Sequence, residues 1–162
     1  MALLHNTQKA TILKNARKIV IVGLSPQQDK ISYQVGAFLL SRGYDIIPIY
    51  PRGGEILGRE VFCSLNDAFA VMAQNGEVCD IINIFRKSEA LGDVMNEICA
   101  LTPYSSFDKS RLCVWVQLGL QSKEAYQKAK ENAILYEEDS CIQATYKNLF
   151  GNATLTEITA LS

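Results

Sequence analysis

Polar and basic residues follow the first apolar run of the sequence and could bind a phosphate. The run 18–22 stops at Gly23, and the next residues combine turn formers with hydrogen-bond donors, namely Leu24, Ser25, Pro26, Lys30, Ser32 and Tyr33. We predict that Ser32 caps a helix, so that the free N–H groups and the positive dipole end of the helix face this loop. The pattern predicts a phosphorylated ligand, and the alternative is a plain turn before a capped helix.

The glycine pattern of this loop differs from that of common dinucleotide sites. A G-x-G-x-x-G motif needs further glycines after Gly23, and residues 24–28 contain none. NAD enzymes also place an acidic residue on the adenine ribose after the second strand, where this chain has Tyr50, Pro51 and Arg52. An arginine there suits a ribose phosphate, which both NADP and coenzyme A (CoA) carry. Arg52 is therefore compatible with NADP and with CoA, and it is also compatible with being an ordinary solvated arginine.

Composition restricts the class of protein further. Sixteen basic and seventeen acidic residues give a net charge of -1, so there is no overall field to attract a nucleic acid. No apolar run approaches the roughly 20 residues that span a bilayer, and the first residues lack a secretory apolar core. We therefore expect a cytoplasmic protein that binds neither nucleic acid nor membrane. The composition is compatible with a protein partner or a homodimer.

The five cysteines and the single histidine do not form a recognisable metal motif. The cysteines show no C-x-x-C spacing, and His5 stands near the start of the chain, so no metal site is predicted. Cys79, Cys99 and Cys113 fall on apolar faces of predicted elements and are expected to be small core residues.

The elements that must position these residues alternate along the chain. β-Branched and apolar runs predict strands at 18–22, 45–50, 61–62, 79–85, 112–117 and 133–136. Helices are predicted at 5–16, from Ser32 to Gly43, at 67–72 after a Ser64 cap, at 88–99 from Ser88, at 122–130 from Ser122, and at 141–150. A Gly-rich loop is expected at 52–59 and a loose tail after Gly151.

This alternation predicts an α/β fold. We expect a Rossmann-like, doubly wound parallel sheet of five to six strands with helices on both faces, forming a single domain over 1–162 with a core at about 15–150. Ligands bind such sheets outside the carboxyl ends of the strands, where the strand order reverses. The site should therefore lie in the loops 23–32, 50–54, 85–88 and 117–120.

Several segments, taken in order, carry a more specific signal: 20–26, 32–35, 47–51, 55–58, 84–88, 115–119 and 141–142. Together they resemble the small CoA-binding proteins related to the N-terminal CoA-binding domain of the succinyl-CoA synthetase α subunit. The resemblance implies that Ser25 and its neighbours contact the CoA phosphates and that Arg52 meets the charged nucleotide end. It also implies that further residues line the site, namely Phe85, Arg86, Lys87, Val116, Gln117, Leu118 and Gly119.

The sequence departs from that family pattern at three places. Ile31 stands where a proline is expected, Tyr50 replaces a more usual asparagine, and no arginine directly precedes Cys141. Cys141 is predicted at the start of the last helix, where a helix dipole favours a thiolate. We therefore consider it as a thiol contact that could form a mixed disulfide with CoA.

No catalytic group accompanies these candidate CoA-binding residues. The synthetases transfer a phosphoryl group through a histidine in a second domain, and this chain offers only His5. We therefore predict a protein that is not an enzyme and binds CoA or an acyl-CoA as a binding, sensing or regulatory module. One alternative is an NADP-dependent or other nucleotide-cofactor enzyme. Another is an interaction domain whose pocket is vestigial.

Overall fold

The computed structural model describes residues 3–160, and its centre is a parallel sheet. The five strands of this sheet are β1 (Lys18–Val22), β2 (Asp45–Ile49), β5 (Ile81–Ile84), β6 (Cys113–Val116) and β7 (Leu135–Glu137), and their spatial order is β2-β1-β5-β6-β7. Every residue of β1, β5 and β6 is buried. Strands covered on both faces read as continuous apolar runs, which is why these segments are visible in the sequence.

Helices cover both faces of the sheet. They are α1 (Asn6–Asn15), α2 (Ile31–Arg42), α3 (Leu65–Gln74), α4 (Leu91–Cys99), α5 (Lys123–Glu131), α6 (Ile142–Phe150) and α7 (Leu155–Ala160). Ile19 and Ile21 pack under α1, α2, α6 and α7, whereas Val20 and Val22 pack under α3, α4 and α5. We call these two sides the α2 face and the α4 face. The predicted doubly wound, Rossmann-like α/β fold is confirmed, with five strands.

One predicted strand was wrong, and a hairpin takes its place. Residues 61–62 form only an isolated bridge between Ile49 and Phe62, while β3 (Glu55–Ile56) and β4 (Arg59–Glu60) pair within the predicted loop. The turn residues Leu57 and Gly58 both have positive φ, 54° and 74°, as a tight two-residue hairpin turn requires. Leu57 accepts this conformation while its side chain packs near Gly36 of α2.

Of the four serines predicted to start helices, two do so and two do not. Ser64 and Ser122 cap α3 and α5 by accepting backbone N–H groups at 3.1 Å. Ser88 opens a short 3₁₀ turn instead of α4. Ser32 is not the cap of α2, because α2 begins one residue earlier, with Lys30 in the cap position. The Ser32 hydroxyl accepts the N–H of Ser25 at 3.0 Å instead.

Of the tail predicted to be loose, residues 152–160 are ordered, and residues 161–162 lie outside the described part of the chain. Thr154 and Glu157 bond reciprocally, with the Thr154 N–H donating to the Glu157 carboxylate at 3.1 Å and the Glu157 N–H donating to the Thr154 hydroxyl at 3.3 Å. This capping box starts α7, which buries Leu155 and Ile158 on the α2 face. The T-x-x-E spacing was a signal in the sequence that the prediction missed.

Two of the three cysteines predicted to be core residues lie fully in the interior. Cys79 and Cys113 are buried, whereas Cys99 is half-buried. Burial raises the pKa of the Cys79 thiol to about 12 and also raises the pKa of the Cys113 thiol. These thiols therefore stay protonated at neutral pH and act as small apolar groups. Between residues 3 and 160, no helix is long and apolar enough to cross a membrane.

Candidate nucleotide-binding crevice

The strand order reverses at β1, which pairs with β2 on one side and with β5 on the other. The loops that follow β1 and β5 therefore lie side by side at the carboxyl edge of the sheet, where Phe85 N–H donates to the Val22 carbonyl at 2.8 Å. Gly23 allows this close approach: its φ is 84°, and a Cβ there would lie 2.5 Å from the Phe85 carbonyl oxygen. Sheets of this type bind ligands at such a crevice.

The N-terminus of α2 opens into this crevice. No side chain caps the helix, and its first turn contains no acidic residue. The N–H groups of the first helical residues thus lack both an intrahelical acceptor and a side-chain acceptor. Ser25 orders the loop before the helix, since its N–H donates to Ser32 and its hydroxyl accepts the N–H of Gln27 at 3.1 Å. The geometry leaves this helix end more open to an anion than the predicted Ser32 cap would.

Four cations stand on the loops around this helix end. Lys30 lies after β1, Arg52 after β2, and Arg86 and Lys87 after β5, and all four side chains are exposed. The ion pairs found among residues 3–160 involve none of them. Unpaired cations beside an open helix N-terminus create a positive local field in a chain whose net charge is -1.

Aromatic residues form the wall of the crevice on the α2 face. Tyr33, Tyr50 and Phe85 are half-buried and pack against the core of that face. Pro51 follows Tyr50 in an exposed turn, which the Gly53 N–H closes by donating to the Tyr50 carbonyl at 3.2 Å. Rings in this position offer a surface on which a base can stack.

Five further predicted site residues differ in how far they are exposed. Leu24 and Val116 have fully buried side chains and can offer a ligand only their backbone. Pro26 and Leu118 are exposed on the loops after β1 and β6. Gly119 is exposed as well, and its N–H already donates to the Asp139 carboxylate at 2.7 Å. Asp139, which lies in the loop after β7 and was not among the predicted site residues, thus fixes the loop after β6.

Gln117 and Cys141 lie where β6 ends and α6 begins. Gln117 is 6% exposed, its N–H donates to the Ile84 carbonyl at 3.1 Å, and its side-chain Oε1 has no hydrogen-bond partner among residues 3–160. Cys141 occupies the N-cap position of α6, is half-buried, and makes no side-chain cap bond. The two residues were predicted from separate segments, and the fold brings their elements together.

The residues at the crevice fit a phosphorylated nucleotide such as CoA. An open helix N-terminus and four unpaired cations match phosphate groups, and Gly23 lets the backbone approach closely. The orphaned Oε1 of Gln117 marks a place where a polar partner is expected. Fold and site together define a Rossmann-like protein of the nucleotide-binding type.

Known proteins place the chain within this class. The profile of a protein family described as "CoA binding domain" matches residues 17–147, and the chain belongs to this family. The predicted resemblance to small CoA-binding proteins is thereby confirmed. A curated relative, the uncharacterized protein YneT of Bacillus subtilis (strain 168), is 33% identical over 146 residues, which cover 88% of this chain and 97% of YneT.

Solved structures share the fold. A Thermus thermophilus protein described as cell-free ID.343 is 28% identical with a TM-score of 0.77, and the match covers 91% of this chain and 100% of that one. A hypothetical protein from Pyrococcus horikoshii OT3 is 24% identical with a TM-score of 0.77, covering 91% and 94% of the two chains. At that identity the second likeness concerns the fold alone.

Proposed function

We propose that this protein binds coenzyme A or an acyl-CoA and serves as a non-catalytic binding, sensing or regulatory module. The observation that carries this proposal is the open N-terminus of α2 at the strand reversal, surrounded by unpaired cations. Membership of the CoA-binding domain family supports the choice of CoA among phosphorylated ligands. The absence of the G-x-G-x-x-G pattern after Gly23 disfavours NAD and NADP.

The proposed ligand would use each part of the crevice for a different group. The N–H groups of α2, with Ser25 and Lys30, would bind the pyrophosphate. Arg52 would bind the ribose phosphate through charged hydrogen bonds. The nucleotide would lie against Phe85 and Arg86, because rings and guanidinium planes both stack on a base.

The lack of catalysis is proposed from the groups at the crevice, where cations, aromatic rings and the Gln117 amide outnumber the potential nucleophiles Ser25 and Cys141. His5 is the exposed N-cap residue of α1, and the ion pair between Lys9 and Glu137 ties α1 to the edge strand β7. Acyl transfer needs a nucleophile activated by an adjacent base. No histidine stands next to Cys141 in the sequence, and the carboxylate of nearby Asp139 already accepts the Gly119 N–H.

Titration calorimetry with CoA, acetyl-CoA, NAD and NADP tests the binding proposal. We expect heat from CoA and acetyl-CoA, little from NADP, and none from NAD. Binding of NADP without CoA would favour a nucleotide-cofactor enzyme and overturn the proposal. If none of the four ligands binds, the crevice is vestigial and the protein is an interaction domain.

Acetyl-CoA hydrolysis tests the non-catalytic part. The protein is incubated with acetyl-CoA, and release of the free thiol is followed with a chromogenic thiol reagent. We expect the rate to equal that of a blank without protein. A rate that rises with protein concentration and saturates with acetyl-CoA would show that the crevice is an active site.

A further inference from the structure

Three buried side chains on the sheet carry an oxygen without a hydrogen-bond partner among residues 3–160. They belong to Asn83 of β5, Gln117 after β6 and Glu137 of β7. Asn83 and Glu137 flank Trp115 in the strand register, so they form one row across the sheet. Gln117 lies two residues beyond Trp115, toward the carboxyl edge. Among the three, it is therefore the one next to the crevice.

The side chain of Gln117 is directed to the α2 face. Trp115 packs in the core of the α2 face and Val116 in the core of the α4 face. The bond from the Gln117 N–H to the Ile84 carbonyl continues the ladder of β6 past its last assigned residue. Side chains alternate along such a ladder, so Gln117 points to the same side as Trp115. A buried amide oxygen is thus directed toward the side on which α2 and α6 pack.

The N-terminus of α6 is held at the same place. The Trp115 indole N–H donates to the Ser140 carbonyl at 3.2 Å, and the Ser140 N–H donates to the Val116 carbonyl at 3.3 Å. These bonds fasten the residue before the helix to the end of β6. The helix has no side-chain cap and no acidic residue in its first turn, and its first backbone bond runs from the Thr145 N–H to the Cys141 carbonyl at 3.0 Å.

An unpartnered acceptor and unpartnered donors therefore belong to adjoining segments on the α2 face. Gln117 offers an amide oxygen, and the first turn of α6 offers N–H groups without an intrahelical acceptor. A secondary amide has one N–H and one carbonyl, which is the complement of this pair. An anion would meet the helix N–H groups but would leave the buried Gln117 Oε1 without a donor.

We propose that Gln117 and the N-terminus of α6 form a subsite for a secondary amide of the ligand. Gln117 Oε1 accepts the ligand N–H, and the first turn of α6 donates to the ligand carbonyl. This inference rests on the proposed function, because the pantetheine arm of CoA contains secondary amides and nucleotides lack such an arm. Helices α2 and α6 pack against each other, typically about 8–10 Å apart, so the phosphate end and the arm occupy neighbouring helix ends.

The test compares CoA with its nucleotide half alone, 3′-phospho-ADP, on the same variants. Gln117→Met removes the amide at similar length, and we expect it to weaken CoA about tenfold, as for one lost hydrogen bond, while 3′-phospho-ADP binds as before. The matched control is Gln121→Met, which removes an exposed amide from the same loop. We expect the control to change neither affinity.

The stability of the unliganded variant separates a binding role from a structural one. Gln117→Met replaces an orphaned buried oxygen by an apolar group, so its melting temperature should equal or exceed that of the native protein. A structural role for the amide predicts a lower melting temperature together with equal losses for both ligands. That result would overturn the subsite.

A measurement on the native protein does not depend on the variants. In NMR titrations, we expect CoA to shift the backbone amide signals of Ile142 and Gln143, and 3′-phospho-ADP to leave them in place. Identical shifts from both ligands, or an unchanged CoA affinity in Gln117→Met, would overturn the subsite but leave CoA binding intact. If neither ligand binds the native protein, the proposed function itself is wrong.

Discussion

The two edges of the sheet differ in how their charged side chains are paired. At the amino edge, where the strands begin, Lys18 bonds to Asp45 and Glu77, and Arg111 bonds to Asp80 at 2.7 Å. At the carboxyl edge, four cations stand on the loops, and the ion pairs among residues 3–160 include none of them. The charges named at the amino edge are satisfied within the chain, whereas the four cations at the carboxyl edge have no ion pair among residues 3–160 and would meet the ligand of the proposed function.

The backbone follows the same division. The buried carboxylate of Asp80 accepts the N–H groups of Arg17 and Lys18 at 2.9 and 3.1 Å, so the start of β1 has its partners. At the carboxyl edge, Ser122 caps α5, whereas α2 and α6 begin without a side-chain cap. The amino edge also holds a cavity of about 290 Å³ beside α1, but the charged groups that line it, Asp80 and Arg111, already bond to each other.

The strongest exception to this division is expected at Gly23, where the carboxyl edge also carries stability. Gly23→Ala places a Cβ against the Phe85 carbonyl in a left-handed conformation, and we expect it to lower the free energy of unfolding by about 3 kcal/mol. The matched control is Gly76→Ala, which shares a positive φ of 70° but has nothing within 4 Å of the added Cβ. It should cost about 1 kcal/mol. Urea unfolding measures both, and equal losses would show that the contact with Phe85 does not matter.

Arg52→Ala should separate binding from stability. We expect CoA binding to weaken by about 1.5–3 kcal/mol, since a charged hydrogen bond to the ribose phosphate is lost, and dephospho-CoA to be affected much less. Because Arg52 is exposed and forms no ion pair among residues 3–160, the free energy of unfolding should change by less than about 0.5 kcal/mol. Calorimetry measures the effect on binding, and urea unfolding measures the effect on the free energy of unfolding. Equal losses for both ligands would argue against a contact with the ribose phosphate.

Lys18→Met should show the reverse behaviour at the amino edge. It leaves Asp45 and Glu77 without their shared cation, and we expect a loss of about 1–2 kcal/mol in the free energy of unfolding with unchanged CoA binding. The loss is smaller than for fully buried pairs because the two carboxylate side chains are 39% and 36% exposed. Lys128→Met breaks a pair with Glu124, whose side chain is 66% exposed, together with a 3.3 Å bond to the Gly92 carbonyl, and serves as the control, with a loss below about 1 kcal/mol.

The pH dependence of the free energy of unfolding tests the role of Lys18 further. Burial acts to lower the pKa of Lys18, but its hydrogen bonds to Asp45 and Glu77 raise it above the ordinary value of 10.5. A cation with a raised pKa in the folded state stabilises the fold fully below its unfolded pKa and loses this effect as pH rises through the folded pKa. The difference between native protein and Lys18→Met should therefore be constant up to about pH 9.5 and shrink above pH 10.5. A difference that grew with pH would contradict the assignment.

Local signals in the sequence predicted most of the elements, and two of the errors have a common cause in contacts between distant segments. The caps at Ser64 and Ser122 were right because each bond joins neighbours in the chain. The predicted cap at Ser32 was wrong because its hydroxyl bonds to Ser25, which lies across a loop. The β3–β4 hairpin was missed because Leu57 adopts a positive φ against a surface built by α2.

The sequence by itself determined the alternation of strands and helices, the turn at Gly23 and the family resemblance, because each rests on residue types at short spacing. Only the tertiary structure decided which loops meet at the strand reversal, that α2 and α6 begin uncapped, and that the oxygen of Gln117 is buried without a partner. These features depend on pairings between distant segments. Such pairings form only when long-range packing offsets the entropy of closing the loops between them.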